Sequence, residues 1–220
     1  MPIADQRSYL ADTVAILHKL WPDNRTVNIV FHGHSVPSGY FATPFVDTFC
    51  AYPHLLHVRL KRRFPYAVVN AIVTAIGGEG SGTGATRFVD EVLCHRPDVV
   101  AIDYGLNDRG MGLAAAETNW RCMIEAAISR KVKVLLLTPT ADVTVGAGYA
   151  GEDAGLLAQH AEQIRRLAAE YDVGLVDSLA LFLDYHRTGN LDDLLSWPNH
   201  PNAAGHALVA DALMRWFPVA

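Results

Sequence analysis

Five short apolar runs, separated by segments of helical spacing, constrain the fold of this chain more than any other feature. The runs cover residues 27–31, 66–74, 98–104, 131–138 and 173–176. Apolar residues recur at helical intervals in residues 9–20, 49–64, 87–95, 113–130, 156–171, 179–195 and 203–217. Strands that are continuously apolar and alternate with helices indicate a parallel sheet covered on both faces. The sequence therefore predicts an α/β fold with a five-stranded parallel sheet.

The size and charge of the chain limit its organisation and its partners. With 220 residues, half of them hydrophobic, it can bury one substantial core. No repeat, linker or low-complexity segment interrupts the alternation, so we expect residues 1–220 to form a single domain. The net charge of −5 gives no electrostatic reason to expect a nucleic acid or an anionic membrane as partner.

The opening residues and the cysteines bear on the cellular compartment. The first seven residues lack the pattern of a secretory leader, and no apolar run approaches the roughly 20 residues of a membrane span. We therefore expect a cytoplasmic protein without a membrane span. Cys50, Cys94 and Cys122 are odd in number and lack CxxC spacing, so we interpret them as reduced core residues.

Chemically suggestive residues follow the predicted strands, at the edge where parallel sheets of this kind bind ligands. Ser35 follows the first strand, Gly78 the second, Asn107 the third, and His200 comes after the fifth. A serine nucleophile needs a base and an oxyanion site. His200 can act as the general base, and the Gly78 N–H with the Asn107 amide can hold the oxyanion. These residues together predict acyl transfer at a serine.

In their order along the chain, these blocks resemble the SGNH hydrolases, also called GDSL-type esterases and lipases. The matching residues are Gly33-His34-Ser35, Gly78, Gly105-Leu106-Asn107-Asp108 and His200-Pro201-Asn202. The resemblance implies a flavodoxin-like three-layer sandwich and hydrolysis of carboxylic esters through a seryl intermediate, without a metal or organic cofactor. It implies that Ser35 and His200 are catalytic and that Ser35, Gly78 and Asn107 form the oxyanion hole.

Two positions depart from the pattern of that family. His34 stands where an aspartate usually precedes the serine, and Trp197 where an aspartate usually lies three residues before the histidine. Either Asp192 or Asp193 orients His200, or a backbone carbonyl near Trp197 accepts its Nδ1–H and the enzyme uses a Ser-His dyad. We favour the dyad, because an aspartate at another spacing would reach the same imidazole edge only by accident.

Neighbouring polar residues are expected to support the site. We expect His34 to hydrogen-bond the serine loop and Asp108 to fix its own loop by accepting backbone N–H groups. Arg109 either pairs with Asp108 or meets an anionic group of the substrate, and His206 is expected to be a packed histidine. His32 and His34 alternate as metal ligands can, but without an acidic or cysteine partner we expect no metal site.

The expected substrate is a small-molecule ester. Small acyl groups, acetyl above all, are favoured because no extended apolar insertion forms a lipid tunnel or lid. Tyr40, Phe41 and Phe45 follow Ser35, and Tyr149 lies in the loop after the fourth strand. Aromatic rings at these positions can line an acyl pocket or stack on sugar faces. The specific expectation is an O-acetylated carbohydrate.

Two other interpretations stay open at this point. The dinucleotide-binding motif is also matched, by Gly80, Gly82 and Asp103. This match predicts a Rossmann-like protein in which Asp103 binds the ribose. That interpretation leaves the blocks around Asn107 and His200 unexplained. The other alternative is a non-catalytic binding module on the same fold.

Overall fold

The structure is a computed structural model and describes residues 3–146 and 152–219. Its central sheet has five parallel strands: β1 (Thr26–Gly33), β2 (Val68–Val73), β3 (Val99–Asp103), β4 (Lys133–Leu137) and β5 (Gly174–Val176). The strands lie in the order β2-β1-β3-β4-β5. All five apolar runs form the strands expected of them, so the predicted α/β class is confirmed.

Helices cover the sheet and carry its connections. They are α1 (Ala11–Leu17), α2 (Ser35–Ser38), α3 (Tyr52–Arg63), α4 (Ser81–Arg87), α5 (Leu113–Ser129), α6 (Val143–Gly146), α7 (Glu152–Glu170), α8 (Ser178–His186) and α9 (Ala203–Met214). Shorter helical turns cover Thr48–Cys50, Phe88–Val92, Leu93–His95, Asn107–Gly110 and Leu191–Leu194. A small antiparallel hairpin, β6 (Leu195–Trp197) and β7 (His200–Pro201), precedes α9.

The alternation of strand side chains divides the core into two layers. In β3, Val99 and Ala101 pack with residues of α1, α3, α8 and α9, whereas Val100 and Ile102 pack with residues of α5 and α7. Both layers are apolar because both faces of a parallel sheet are covered by helices. The result is three layers, with the strands' carboxyl ends at one common edge.

Three segments differ from the sequence-based expectation. The segment 179–195 is not one helix, because α8 ends at His186 and only a short turn forms at Leu191–Leu194. Residues 197–202, which lie between two segments of helical spacing and were expected to form a loop, include β7 and the last residue of β6. The segment that contains Gly80 and Gly82 is helical from Ser81, ahead of the expected helix 87–95, and a methyl group at Gly84 would lie 2.4 Å from the Tyr104 hydroxyl. Glycine there lets α4 approach the sheet closely.

The cysteine prediction is half wrong. All three thiols are free, but Cys94 and Cys122 are exposed and Cys50 is only partly buried, so none belongs to the core. Their helical segments present these positions towards solvent, which the spacing alone did not reveal. Among the residues that the structure describes, no helix is long and apolar enough to cross a membrane.

Candidate active site

Ser35 is the first residue of α2, immediately beyond the carboxyl end of β1. Strand β1 ends at Gly33, where a methyl group would lie 2.3 Å from the carbonyl oxygen of Asp103. Glycine is therefore required for β1 and β3 to approach each other here. The turn closes when the backbone N–H groups of Gly39 and Tyr40 donate to the Ser35 carbonyl. The serine hydroxyl is thus carried by a rigid strand and a tight turn.

His200 meets Ser35 across the carboxyl edge of the sheet. Its Nε2 lies 2.9 Å from the Ser35 Oγ, and its Nδ1 lies 2.7 Å from the backbone carbonyl oxygen of Phe41. The hairpin supports this position, because His200 pairs with Trp197 across it. Asn202 then caps α9 through the N–H groups of Ala204 and Gly205. The Ser35 hydroxyl, the His200 imidazole and an acceptor for the other ring nitrogen are therefore aligned, as catalysis by a serine and a general base requires.

The environment of His200 suits a general base. Burial lowers the pKa of His200 below its ordinary value, the hydrogen bond to the Phe41 carbonyl raises it, and the neighbouring His34 lowers it. The net effect favours the neutral imidazole. With the Nδ1 proton donated to Phe41, the Nε2 lone pair faces the serine hydroxyl, as proton abstraction requires.

The orienting partner of His200 differs from every candidate named from the sequence. Asp192 and Asp193 are exposed, and their carboxylates contact Asn190 and Tyr185 respectively. Neither aspartate contacts His200. A backbone carbonyl accepts its Nδ1–H, as the dyad interpretation expected, but this carbonyl does not belong to a residue near Trp197. Trp197 contributes only its backbone pairing to His200, and half of its surface is exposed. The acceptor is the Phe41 carbonyl, which belongs to the loop after Ser35.

A hydrogen bond from Asn107 to Glu79, the residue after Gly78, joins the two loops that carry the expected oxyanion donors. Gly78 is exposed and has a φ of +79°, a conformation that favours glycine. Asn107 donates one N–H through Nδ2 to the carbonyl oxygen of Glu79, at 2.9 Å. An amide carries two N–H groups, so the second remains available to a ligand. This bond fixes the loop of Gly78 to the loop of Asn107, at the edge where Ser35 lies.

A buried network, which the sequence did not predict, holds that loop from behind. The Glu79 carboxylate accepts from Arg87 Nε at 2.8 Å and from the Tyr104 hydroxyl at 2.7 Å. Burial raises the pKa of Glu79, but hydrogen bonds from Arg87 and Tyr104 prevail and lower it. The only sequence signal was an acid inside a glycine-rich loop. His32 joins the network through Tyr104, at 3.0 Å, and burial lowers the pKa of His32 to about 4.

His32 and His34, whose alternation along the strand is a spacing that metal ligands can have, contact different groups and do not share a site. His32 Nδ1 contacts the hydroxyl of Thr74, and its Nε2 also lies 3.1 Å from the Gly84 carbonyl. His34 instead accepts the Val36 N–H at 3.1 Å, in the serine loop as expected. Among the described residues, no group of three or more His, Cys, Asp and Glu side chains is arranged to hold a metal ion.

The other polar candidates lie outside the reacting centre. Asp108 is fully buried and accepts the Ser81 N–H and the Trp120 indole N–H, both at 2.7 Å. It therefore accepts a backbone N–H as expected, but it fixes the start of α4. Arg109 does not pair with Asp108, because its guanidinium forms an ion pair with Asp142 at 2.8 Å.

His206 has the packed position expected of it. It is fully buried, and its Nδ1 accepts the backbone N–H of Tyr52 at 3.2 Å. Its ring lies against that of Phe41, with centroids 5.0 Å apart. Burial lowers the pKa of His206 to about 3, so the ring stays neutral. It packs against the Phe41 loop, whose carbonyl accepts from His200.

Tyr40 borders the site on one side. Its ring centroid is 6.1 Å from that of His200, and a methyl group at Gly77 would come within 2.7 Å of the Tyr40 ring. The ring therefore extends from the candidate base to the residue before Gly78. The Tyr40 backbone is held by an antiparallel bridge to Val46. Tyr149, the aromatic candidate after the fourth strand, lies outside the described residues.

The residues of the dinucleotide fingerprint do not assemble a nucleotide site. Gly82 lies inside α4, and Gly80 is the residue that precedes this helix. Asp103 is 2% exposed, and its carboxylate contacts Tyr52 and His34. A buried carboxylate with these partners does not reach a ribose.

The sequence and the structure of the chain are similar to those of known proteins. The sequence model of the GDSL-like lipase/acylhydrolase family matches residues 31–208, which is most of the chain. No curated protein matches the sequence significantly.

Among solved structures, an acetylxylan esterase from Geobacillus stearothermophilus has a TM-score of 0.77 at 21% identity, covering 88% of this chain and 95% of that one. Catalytic mutants of that esterase, each with a serine, a histidine or an aspartate replaced by alanine, also match with a TM-score of 0.77. An α/β hydrolase from the metagenome of Lake Arreo in Spain has a TM-score of 0.74 at 21% identity, covering 87% of this chain and 94% of that one. These likenesses confirm the three-layer fold.

Proposed function

Because the chain belongs to the GDSL-like lipase/acylhydrolase family, we propose that Ser35 and His200 hydrolyse small acyl esters, acetyl esters of carbohydrates above all. The observation that carries the assignment of these two residues is the 2.9 Å contact between Ser35 Oγ and His200 Nε2, combined with the Phe41 carbonyl on Nδ1. No metal or organic cofactor is needed for this chemistry.

The proposed reaction has two steps. Ser35 Oγ attacks the ester carbonyl carbon while His200 Nε2 takes the hydroxyl proton, and the N–H groups of Ser35, Gly78 and Asn107 hold the oxyanion. The tetrahedral intermediate collapses, and His200 returns the proton to the departing alcohol, which leaves an acyl ester on Ser35. Water, deprotonated by His200, then attacks this ester and releases the carboxylic acid, with the proton returned to Ser35.

Two observations favour a small acyl group on a sugar. The Tyr40 ring reaches from His200 to Gly77 and limits the space beside the nucleophile. Trp197, half exposed, lies opposite His200 on the hairpin, where an indole face can stack on a sugar ring. The structural similarity to an acetylxylan esterase is consistent with this preference.

The assignment is tested with Ser35→Ala and a serine-directed fluorophosphonate. The native protein should hydrolyse p-nitrophenyl acetate and take up one fluorophosphonate on Ser35, and Ser35→Ala should lose both with an unchanged unfolding midpoint. Retention of ester hydrolysis by Ser35→Ala would overturn the assignment. Binding of a nicotinamide nucleotide without labelling would instead favour the dinucleotide alternative.

The substrate preference is tested separately. We expect kcat/KM to fall as the acyl chain of p-nitrophenyl esters lengthens from acetate to octanoate, and acetylated xylose oligomers to release acetate. A maximum at octanoate would contradict the acetyl preference while leaving the serine mechanism intact.

A cytoplasmic location is also part of the proposal, and the three free thiols are consistent with a reducing compartment.

A further inference from the structure

His34 fixes the first turn of the helix that carries Ser35. It is the residue before this four-residue helix, and its Nδ1 accepts the Val36 N–H at 3.1 Å. An imidazole nitrogen that accepts a hydrogen bond carries no proton, so the ring proton must reside on Nε2. The side chain is 1% exposed, so water does not replace this contact. The shape of the turn therefore depends on one tautomer of His34.

Asp103 lies where it can select that tautomer. Its Oδ1 is 3.4 Å from His34 Nε2, and within the described part of the chain neither of these buried atoms has a hydrogen-bond partner. The second carboxylate oxygen accepts from the Tyr52 hydroxyl at 3.1 Å. The two backbones are also joined, since the His34 N–H donates to the Asp103 carbonyl at 3.1 Å. A buried carboxylate facing Nε2 favours a proton on Nε2 and disfavours the lone pair of the other tautomer.

We propose that Asp103 is a positioning residue for the nucleophile, which keeps His34 in the Nε2–H tautomer so that Nδ1 holds the turn bearing Ser35. This inference rests on the proposed function, in which Ser35 is the nucleophile. In the opposite tautomer, an Nδ1 proton would face the Val36 N–H, and the turn would have to shift. Displacement of a nucleophile by about 1 Å costs roughly 100-fold in rate.

The test is the effect of Asp103→Leu in two backgrounds. In the native background, we expect kcat for p-nitrophenyl acetate to fall by about 10- to 100-fold while KM changes by less than about 2-fold. In the His34→Asp background, the carboxylate at position 34 accepts the Val36 N–H without any tautomer to select, and it faces Asp103 as a like charge. There, Asp103→Leu should leave kcat unchanged or raise it.

A fall of kcat in the native background without a fall in the His34→Asp background distinguishes a positioning role of Asp103 from a general structural role. The loss of the acceptor for Tyr52 is common to both backgrounds and cancels in the comparison. An equal fall of kcat in both backgrounds would overturn the proposal. Tyr52→Phe serves as a matched control, because it removes the other contact of the same carboxylate and should change kcat by less than about 3-fold.

A spectroscopic measurement tests the inference without using activity. Nitrogen-15 chemical shifts of His34 in the native protein should show a protonated Nε2 and an unprotonated Nδ1, and Asp103→Leu should populate the other tautomer. A native His34 with its proton on Nδ1 would refute the proposal. If native protein failed to react with a fluorophosphonate, the proposed function would fail, while the tautomer measurement would still decide the role of Asp103.

Discussion

The carbonyl oxygen of Phe41 accepts a hydrogen bond from Nδ1 of His200 at 2.7 Å, across a sequence separation of 159 residues. A neutral acceptor therefore occupies the position that a carboxylate holds in a Ser-His-Asp triad. It fixes the tautomer and orientation of the imidazole. It supplies no full negative charge to the imidazolium that forms during catalysis.

The first prediction concerns the two aspartates nearest in sequence to the base. Asp192→Asn and Asp193→Asn should each leave kcat within about 2-fold of the native value, because their exposed carboxylates contact Asn190 and Tyr185 instead of His200. Steady-state hydrolysis of p-nitrophenyl acetate measures this, with Ser35→Ala as the inactive reference. A collapse of kcat in either variant would show that an aspartate orients the base after all.

The pH dependence of kcat/KM should report His200. The neutral ring is the active form, so activity should be full above the pKa of His200 and disappear as the pH falls through it. Because burial lowers this pKa, the acidic limb should have its midpoint below the ordinary value of 6.5. A midpoint at or above 6.5 would contradict the assigned environment.

The free energy of unfolding should depend on the protonation of His206 at acidic pH. Its folded pKa is about 3 and its ordinary value 6.5, so the unfolded chain takes up a proton where the folded chain does not. The resulting stability is complete above pH 6.5 and is lost as the pH falls towards 3. Between pH 7 and pH 5, this residue should account for a loss on the order of 2 kcal/mol.

The matched variant for that prediction is His206→Asn, whose side-chain oxygen can still accept the Tyr52 N–H. Urea unfolding at pH 7 and pH 5 should show a smaller fall in the free energy of unfolding for this variant than for the native protein. An identical fall in both proteins would mean that His206 is not the group responsible.

Asn107 should act mainly on the chemical step. Asn107→Ala removes one oxyanion donor and should lower kcat by about 100- to 1000-fold with little change in KM. Asn119→Ala is the control, since Asn119 is another partly buried amide, which donates to Ser81 outside the proposed oxyanion hole. If both variants lost activity equally, the effect of Asn107 would have to be ascribed to general destabilisation.

Tyr40 should limit the size of the acyl group. Tyr40→Ala opens the space between His200 and Gly77, so the kcat/KM ratio of butyrate to acetate esters should rise by about 10-fold or more. Tyr40→Phe keeps the ring and should keep the native ratio. A ratio unchanged in Tyr40→Ala would place the acyl group on another side of the nucleophile.

The strands and the loops that bear Ser35, Gly78, Asn107 and His200 could be predicted because apolar periodicity is local and parallel strands end at a common edge. The hydrogen-bond and ion-pair partners of the site residues could not be predicted. The direction of the Phe41 carbonyl depends on the conformation of a whole loop, and no residue type encodes it. Asp142, the partner of Arg109, comes from a different loop, so spacing along the chain did not identify it.

Asp103 shows how a one-dimensional pattern misleads. It matched the spacing of a ribose-binding acid because it follows the glycine-rich segment by about 20 residues. In the folded chain, the same carboxylate is buried against His34 and Tyr52. The register of β1 with β3, which pairs Gly33 with Asp103, brings the acid beside His34, the residue before Ser35.

Because the acceptor for His200 is a backbone atom, substitution of the residue that carries it does not remove the acceptor. A carboxylate orienter disappears in a single codon change, whereas a carbonyl oxygen is present whichever amino acid occupies position 41. The interaction is therefore conserved when the conformation of the loop is conserved. Insertions or deletions between Tyr40 and Val46 disturb that conformation more than substitutions do. Transplanting that loop as a unit is accordingly the way to give another serine hydrolase an uncharged orienter.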